Sequence, residues 1–383
     1  MKTIALTLLL LAATQDDPRA IAELRAIGQP AVDALMQWRA AQTLDDAGER
    51  RFETAIDQIC RQRDCAWSGL YWYTDFDAAK AAAQREHKPI LTLRLLGNLD
   101  EELSCANSRF FRTILYSNQE ISAYLRANFV LHWKSVRPVP VVKIDFGDGR
   151  TMTRTLTGNS IHYAVTADGS VIDALPGMYS PRDFLAQLKE LRVLADRDPQ
   201  TRQAYHAARA RALPVKAAVA DAWTAAPLAY SKMAVEAPVL NTTWFGKRQR
   251  VAPAASRRQA GSSGIDEHSK ELIRRKRGTD AGLDDVLRSL TQTLAIDTQE
   301  NETKFHATIH QWLETSPNLE SLNRRVYDEL FLTPDSDRWL GLNPRDAYTA
   351  IDGDGITTSS VVPADTTGRR PSGAPAQSAR SHR

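Results

Sequence analysis

Residues 90–111 read "ILTLRLLGNLDEELSCANSRFF" and set the architecture of the central part of the chain. The first seven residues are predominantly apolar, which is typical of a strand buried on both faces of a sheet. After a polar loop, Cys105 opens a helical pattern that carries Phe110, Phe111 and Ile114 on one face. The stretch therefore predicts a buried strand, a loop and a helix that begins at Cys105.

The flanking sequence extends this unit in both directions. A helix with "FDAAKAAAQREH" ends before the strand, and a helix that begins with the capping box of Ser117 and Glu120 leads into the strand "FVLHW". Two hairpins follow, "VVKIDF" with "RTMTRTLT" and "HYAVT" with "SVIDAL", each around an Asp-Gly turn. A helix over about 181–194 closes the unit. This order predicts an α/β domain with a mixed sheet and flanking helices, in which "ILTLRLL" is central and parallel to "FVLHW".

The rest of the chain has the pattern of helices and polar segments. Residues 15–66 form a predicted N-terminal helical segment, and residues 196–351 form a helical C-terminal region. Residues 247–278 carry ten basic and three acidic side chains up to Arg277 and little apolar content, which predicts a solvated, flexible basic linker. Residues 352–383 have almost nothing to bury and are predicted to be disordered. The net charge of +3 indicates no particular partner.

Residues 67–195 resemble the thioredoxin-like domains of exported bacterial proteins. "AKAAAQREHKP" matches the family's A-K-x-x-x-K-P helix end, and "CANS" precedes "FV" by the family's interval of about twenty residues. The resemblance places Cys105 on the nucleophilic cysteine, Ser108 on the resolving cysteine and Ser160 on the cis-proline. His162, two residues later, is either a cationic partner or base for the thiol, or a strand residue on the sheet face.

Two functions agree with this resemblance. In the first, Cys105 is a monothiol that attacks a disulfide, Ser108 at most donates a hydrogen bond to the thiolate, and an external thiol resolves the adduct. The helix N-terminus favours that thiolate, whereas the acidic residues 100–102 oppose it. The implied partner is a protein or a low-molecular-weight thiol or disulfide. In the second, Cys105 is buried beside Phe110 and Phe111 in a redox-inactive thioredoxin-fold module used for binding or structure.

The N-terminus and the cysteine count predict an exported protein. "MKTIALTLLLLAATQDDP" begins with one lysine and a short apolar run, so residues 1–14 are predicted to be a signal peptide; the alternative is a buried first helix. In an oxidising compartment Cys60 and Cys65 can form a disulfide that leaves Cys105 as the third cysteine. The alternative is a buried Cys60 on a helix with an exposed Cys65.

The remaining polar patterns predict no cofactor and no metal site. His306 and His310 in "FHATIH" are one helical turn apart, but no H-E-x-x-H glutamate and no obvious third ligand accompany them, so an exposed helix stripe is favoured. The basic linker lacks interleaved aromatic residues, so nucleic acid is not predicted as a partner. No further segment has 18 consecutive apolar residues, so no transmembrane anchor is predicted. The oligomeric state stays open.

Overall fold

A computed structural model describes residues 17–155, 159–212, 264–331, 333, 334 and 336 of the chain. The predicted signal peptide, the predicted disordered tail and the linker up to residue 263 lie outside this part. Six strands are described: β1 (Ile90–Leu96), β2 (Val130–Arg137), β3 (Val141–Asp145), β4 (Thr151–Thr155), β5 (Ser160–Val165) and β6 (Val171–Pro176).

Four strands form a mixed sheet in the order β2-β1-β5-β6, and β3 with β4 forms a separate two-stranded hairpin. β1 is parallel to β2 and antiparallel to β5, and β5 is antiparallel to β6. All seven residues of β1 are buried, as a strand covered on both faces requires. The prediction of a mixed sheet with "ILTLRLL" inside it and parallel to "FVLHW" is confirmed, and so are both hairpins.

Helices flank the sheet and make up both ends of the described chain. They are α1 (Pro18–Ile27), α2 (Gln29–Ala40), α3 (Asp46–Cys60), α4 (Cys65–Ser68), α5 (Phe76–Glu86), α6 (Ala106–Phe110), α7 (Gln119–Asn128), α8 (Pro181–Ala195), α9 (Pro199–Ala212), α10 (Glu267–Arg277), α11 (Leu283–Glu300), α12 (Ala307–Leu313) and α13 (Leu319–Arg325). Three π-helical turns continue or join helices: Phe111–Leu115 after α6, Asn301–His306 between α11 and α12, and Val326–Leu330 after α13.

Side-chain caps explain where several of these helices begin. Asp17, Asp45, Asp75 and Ser180 each accept a hydrogen bond from a backbone N–H in the first turn of the helix that follows. For α7 the cap is Asn118, one residue later than predicted. The Ser117 hydroxyl instead donates to the Thr113 carbonyl, 2.7 Å away. The capping-box prediction is therefore wrong by one residue, because the preceding π-helical turn already provides the acceptor for this hydroxyl.

Helices α1 to α3 enclose a small core of their own at the N-terminal end. Its centre is formed by Leu24, Leu35 and Phe52, all essentially inaccessible to solvent. Cys60, at the end of α3, and Cys65, at the start of α4, are joined by a disulfide with Cα atoms 6.2 Å apart. Both cysteines are buried, so the alternative with an exposed Cys65 does not hold.

The main core includes the sheet and the C-terminal helices together. Leu93 and Leu95 of β1 belong to the same buried cluster as Ile309, Leu322 and Tyr327. Fully burying one such aliphatic side chain contributes roughly 1.5–3 kcal/mol, so the contribution of these helices to the core is substantial. The C-terminal helices therefore complete the core of the sheet domain.

The end of the predicted basic linker is helical. Asp266 accepts a hydrogen bond from the Ser269 N–H and so caps α10, in which Leu272 is buried. The Ser117 hydroxyl also lies 2.9 Å from the Ser269 hydroxyl, which ties α10 to the turn between the π-helical segment Phe111–Leu115 and α7. The prediction of a flexible linker up to residue 278 is wrong for residues 267–277, because burial of Ser269 and Leu272 on one face packs the helix despite its high charge. None of the helices in the described part of the chain combines the length and apolarity needed to cross a bilayer.

Candidate functional site

Cys105 lies where the loop after β1 turns into helix α6. It has extended backbone angles and precedes the first helical residue, and its N–H donates to the Leu96 carbonyl at 3.1 Å. The loop leaves β1 through Gly97, whose φ of +73° is unfavourable for other residues. A Cβ atom there would also lie 3.1 Å from Cγ1 of Val139. The predicted start of a helix at Cys105 is confirmed.

The thiol of Cys105 is fully buried, with 0% of the residue exposed. Two buried tyrosines, Tyr116 and Tyr327, lie in the same core cluster. Burial first, and the nearby Cys105 second, hold the pKa of both phenols well above its usual value. The surroundings of Cys105 are therefore an aromatic, low-dielectric interior.

Ser108 forms its hydrogen bonds within the start of the helix. Its hydroxyl oxygen is 2.6 Å from the Ser104 hydroxyl and 2.8 Å from the Cys105 carbonyl. The hydroxyl has a single proton to donate, and both neighbours can accept it. The side chain predicted to support a thiolate is thus engaged in local structure.

Ser160 and His162 occupy the first half of β5, beside the carboxyl end of β1. Ser160 pairs with Leu95 across the sheet, and none of the described residues hydrogen-bonds its buried hydroxyl. His162 Nε2 is 2.6 Å from the Tyr116 hydroxyl. Its ring packs against Phe111, with the centroids 4.7 Å apart.

The environment of His162 decides between its two interpretations. Burial lowers the pKa of His162 to about 3, so the imidazole is neutral near pH 7. Of the two alternatives for His162, the cationic partner is therefore disfavoured, because none of the described residues supplies an anion that offsets the loss of hydration. His162 is a buried strand residue that hydrogen-bonds Tyr116.

The acidic loop before Cys105 is paired with arginines. Asp100 lies 3.2 Å from Arg61, and Glu102 lies 3.2 Å from Arg63. The charge that was expected to oppose a thiolate is thus partly neutralised by the residues that follow α3. Its effect on Cys105 is correspondingly smaller than a count of carboxylates suggests.

Residues 319–331, which we call the C-terminal cover, are held near this site by polar contacts. The Tyr327 hydroxyl donates to the Asn159 carbonyl at 3.2 Å, next to Ser160. The Tyr163 hydroxyl donates to Asn323 Oδ1 at 3.2 Å. Because a buried group that loses its partner costs about 1–3 kcal/mol, these bonds specify where the cover lies.

A second polar cluster lies around Asp173 of β6, the strand at one edge of the four-stranded sheet. Asp173 Oδ1 is 3.0 Å from His306 Nε2, and His306 Nδ1 is 3.2 Å from Glu302 Oε1. Burial opposes the charge of His306, but Asp173 and Glu302 raise its pKa to about 10. Burial likewise opposes the charge of Asp173, but His306 and then His310 hold its pKa below the ordinary range.

His206 of α9 and His310 of α12 complete this cluster. Their Nδ1 atoms are 2.9 Å apart, and His310 Nδ1 is 3.9 Å from Asp173 Oδ1. Burial lowers the pKa of His310 to about 3. One ligand atom from each of these three residues falls within 4.8 Å of the others, which is a possible set of metal ligands.

The sequence prediction for this region needs two corrections. His306 and His310 are fully buried, so they do not form an exposed helix stripe. Groups of ligand type do lie beside the pair, because Asp173 and His206, on other elements and at no fixed spacing from it, form with His310 a possible set of three ligands that does not include His306. A weak signal did exist, because Asp173 is a carboxylate inside a strand that is otherwise apolar.

Comparisons with protein-family models, with curated proteins and with solved structures find no match to this chain. Any assignment of function therefore rests on the geometry of the two sites above.

Proposed function

We propose that residues 67–195 form a thioredoxin-like domain that acts as a redox-inactive structural or binding module. The observation that carries this proposal is the complete burial of Cys105 in the core that also contains Tyr116 and, from the C-terminal cover, Tyr327. A thiol must reach the sulfur of a disulfide to exchange with it, and burial in apolar surroundings makes cysteines inert.

The fold of the domain supports the family assignment. β1 and β2 are parallel, two antiparallel strands complete the sheet, and Cys105 begins the helix after β1. In the proposed module, the surface around Cys105 is taken up by the chain's own C-terminal cover. The cover then replaces an external disulfide substrate.

Export is part of the same proposal. The apolar segment near Met1 has the pattern of a signal peptide, and the Cys60–Cys65 disulfide suits an oxidising compartment. The bond links the end of α3 to α4, next to the loop that carries the acidic residues before Cys105. A structural disulfide at this place stabilises the connection between α3 and α4.

The second candidate function is monothiol exchange with a protein or a low-molecular-weight thiol. It is favoured by one observation, the position of Cys105 at the start of a helical segment, where backbone N–H groups stabilise a thiolate. This function requires the C-terminal cover to move away from Cys105. Ser108 cannot resolve an adduct, so an external thiol would have to do so.

The rate of alkylation of Cys105 by iodoacetamide tests the proposal. For the folded protein near neutral pH, we expect a rate at least ~1000-fold below that of the urea-unfolded chain, because opening of a packed core costs several kcal/mol. Cys105→Ser provides the background. Alkylation of the folded protein at the rate of the unfolded chain, or faster, together with a trapped mixed disulfide that Cys105→Ser lacks, would establish monothiol exchange instead.

A further inference from the structure

The buried cluster of Asp173, His206 and His310 brings together ligand types from three separate elements. Asp173 is on β6, His206 on α9 and His310 on α12, and all three are buried. Imidazole nitrogen together with carboxylate oxygen is the donor set that divalent transition metals such as Zn²⁺ take up in proteins. None of these three residues is among those described at the Cys105 site.

The hydrogen bond from His206 to the backbone sets its tautomer. His206 Nε2 is 2.8 Å from the Ile172 carbonyl, and a carbonyl can only accept. Nε2 therefore carries a proton, and in the neutral ring Nδ1 presents a lone pair toward His310. A histidine that ligates a metal commonly donates its other N–H to a backbone carbonyl in this way.

The distances among the ligand atoms are close to those of a coordination sphere. With bonds of about 2.0–2.1 Å, two ligand atoms on one tetrahedral Zn²⁺ lie about 3.3 Å apart. The observed separations are 2.9 Å between the Nδ1 atoms of His206 and His310, and 3.9 Å from His310 Nδ1 to Asp173 Oδ1. These two values lie on either side of the required one, and all three pairs of ligand atoms lie within 4.8 Å. Side-chain rotations that move these atoms by up to about 1.5 Å therefore bring them to the required separation.

His306 and Glu302 would support the ligands. His306 Nε2 is 3.0 Å from Asp173 Oδ1, and its ring stacks on His310 with centroids 4.1 Å apart. Glu302 in turn lies 3.2 Å from the other nitrogen of His306. Such outer partners fix the orientation of ligating side chains and raise metal affinity. Both residues belong to the π-helical turn before α12, and π-helical turns occur frequently at functional sites.

We propose that Asp173, His206 and His310 bind one divalent transition-metal ion of the Zn²⁺ type, which ties α9 and α12 to strand β6. Asp173 supplies a carboxylate oxygen, and both histidines supply Nδ1. In the bound state the proton of His310 resides on Nε2. Three protein ligands leave one coordination position for a water molecule. Because the ligands come from three separate elements, the binding free energy of the ion stabilises the folded chain.

The experiment titrates the full chain, stripped of metal with a chelator, with Zn²⁺ and with Co²⁺ as a spectroscopic probe. We expect one equivalent per chain, visible d–d absorption for Co²⁺ and a rise of Tm with metal concentration. His206→Asn and His310→Asn should each weaken binding at least ~100-fold, since loss of an outer partner alone costs ~10–100-fold. His306→Gln should fall in that smaller range.

A matched control is His87→Asn, which removes an exposed histidine at the end of α5 where a left-handed backbone suits asparagine. It should leave affinity and stoichiometry unchanged. Should the cluster variants unfold, ¹⁵N-histidine spectra of the wild-type chain decide the question. One equivalent of Zn²⁺ must shift the Nδ1 resonances of two imidazoles to those of a metal-bound nitrogen, and both rings must then carry their proton on Nε2. The proposal is overturned by the absence of stoichiometric uptake, by equal affinity of His206→Asn and wild type, or by spectra in which Zn²⁺ changes no such pair.

Discussion

Substitution of Tyr327 measures how tightly the C-terminal cover closes over Cys105. Tyr327→Phe keeps the ring but removes the bond from the hydroxyl to the Asn159 carbonyl at 3.2 Å. A hydrogen bond of this kind contributes about 1 kcal/mol, and 1.4 kcal/mol is a factor of ten, so the alkylation rate of Cys105 should rise about 5-fold. Tyr327→Ala removes a fully buried ring, which costs about 3–5 kcal/mol, and should raise the rate roughly 100- to 3000-fold.

The assay follows iodoacetamide labelling of Cys105 by peptide mass spectrometry. The reagent concentration is low enough that the core closes faster than an exposed thiol reacts, so the labelling rate is proportional to the equilibrium population of the open state. Tyr71 provides matched controls, because it is also buried and its hydroxyl donates to a carbonyl, that of Arg25, at 2.9 Å. Tyr71→Phe and Tyr71→Ala perturb the separate N-terminal core, so they should leave labelling within about twofold of wild type. Unchanged labelling of Tyr327→Ala, or an equal increase in Tyr71→Ala, would refute local closure by the cover.

Two further substitutions test the energetics of the fold. Burial raises the pKa of Asp57 from 3.8 to about 7, so between these pH values the native state keeps a proton that the unfolded state releases. The stabilising contribution of Asp57 is therefore fully present below pH 4 and is lost as the pH rises through 7. Urea unfolding should therefore show Asp57→Asn gaining up to about 4 kcal/mol relative to wild type between pH 4 and 8; a constant difference would contradict the burial effect. Gly177→Ala should lower the free energy of unfolding by about 2 kcal/mol or more, because φ is +72° and a Cβ would lie 2.7 Å from the Asn301 amide. Gly147→Ala, at φ +74° with no heavy atom within 4 Å, should lose only the backbone part, so equal losses would exclude the steric explanation.

The sheet and the position of Cys105 were predictable because their signals are local. An apolar run, an Asp-Gly turn and a helix start each involve a few consecutive residues, and strand pairing then follows from the order of elements. The same reasoning predicted which strand lies parallel to β1. It failed for α10, because a basic composition concealed the one face on which Ser269 and Leu272 are buried.

The choice between a buried and an accessible Cys105 could not be made in this way. Tyr327 lies far along the chain from Cys105, and no periodicity relates the two positions. The metal-ligand candidates present the same difficulty, since His206 and Asp173 are 33 residues apart and His310 is 104 residues beyond His206. Contacts at such separations depend on the packing of whole helices, and a single sequence carries no direct record of them.

The polar contacts of the C-terminal region explain why it belongs to the fold. Buried Arg94 on β1 lies 2.8 Å from Glu320, which is on the cover, and Tyr163 on β5 donates to Asn323. Apolar packing alone would tolerate many positions of these helices, whereas a buried guanidinium or hydroxyl that loses its partner is costly. The sheet therefore carries buried polar groups that the cover satisfies. The burial that makes Cys105 inaccessible and the hydrogen bonds that position the cover are thus two consequences of the same packing.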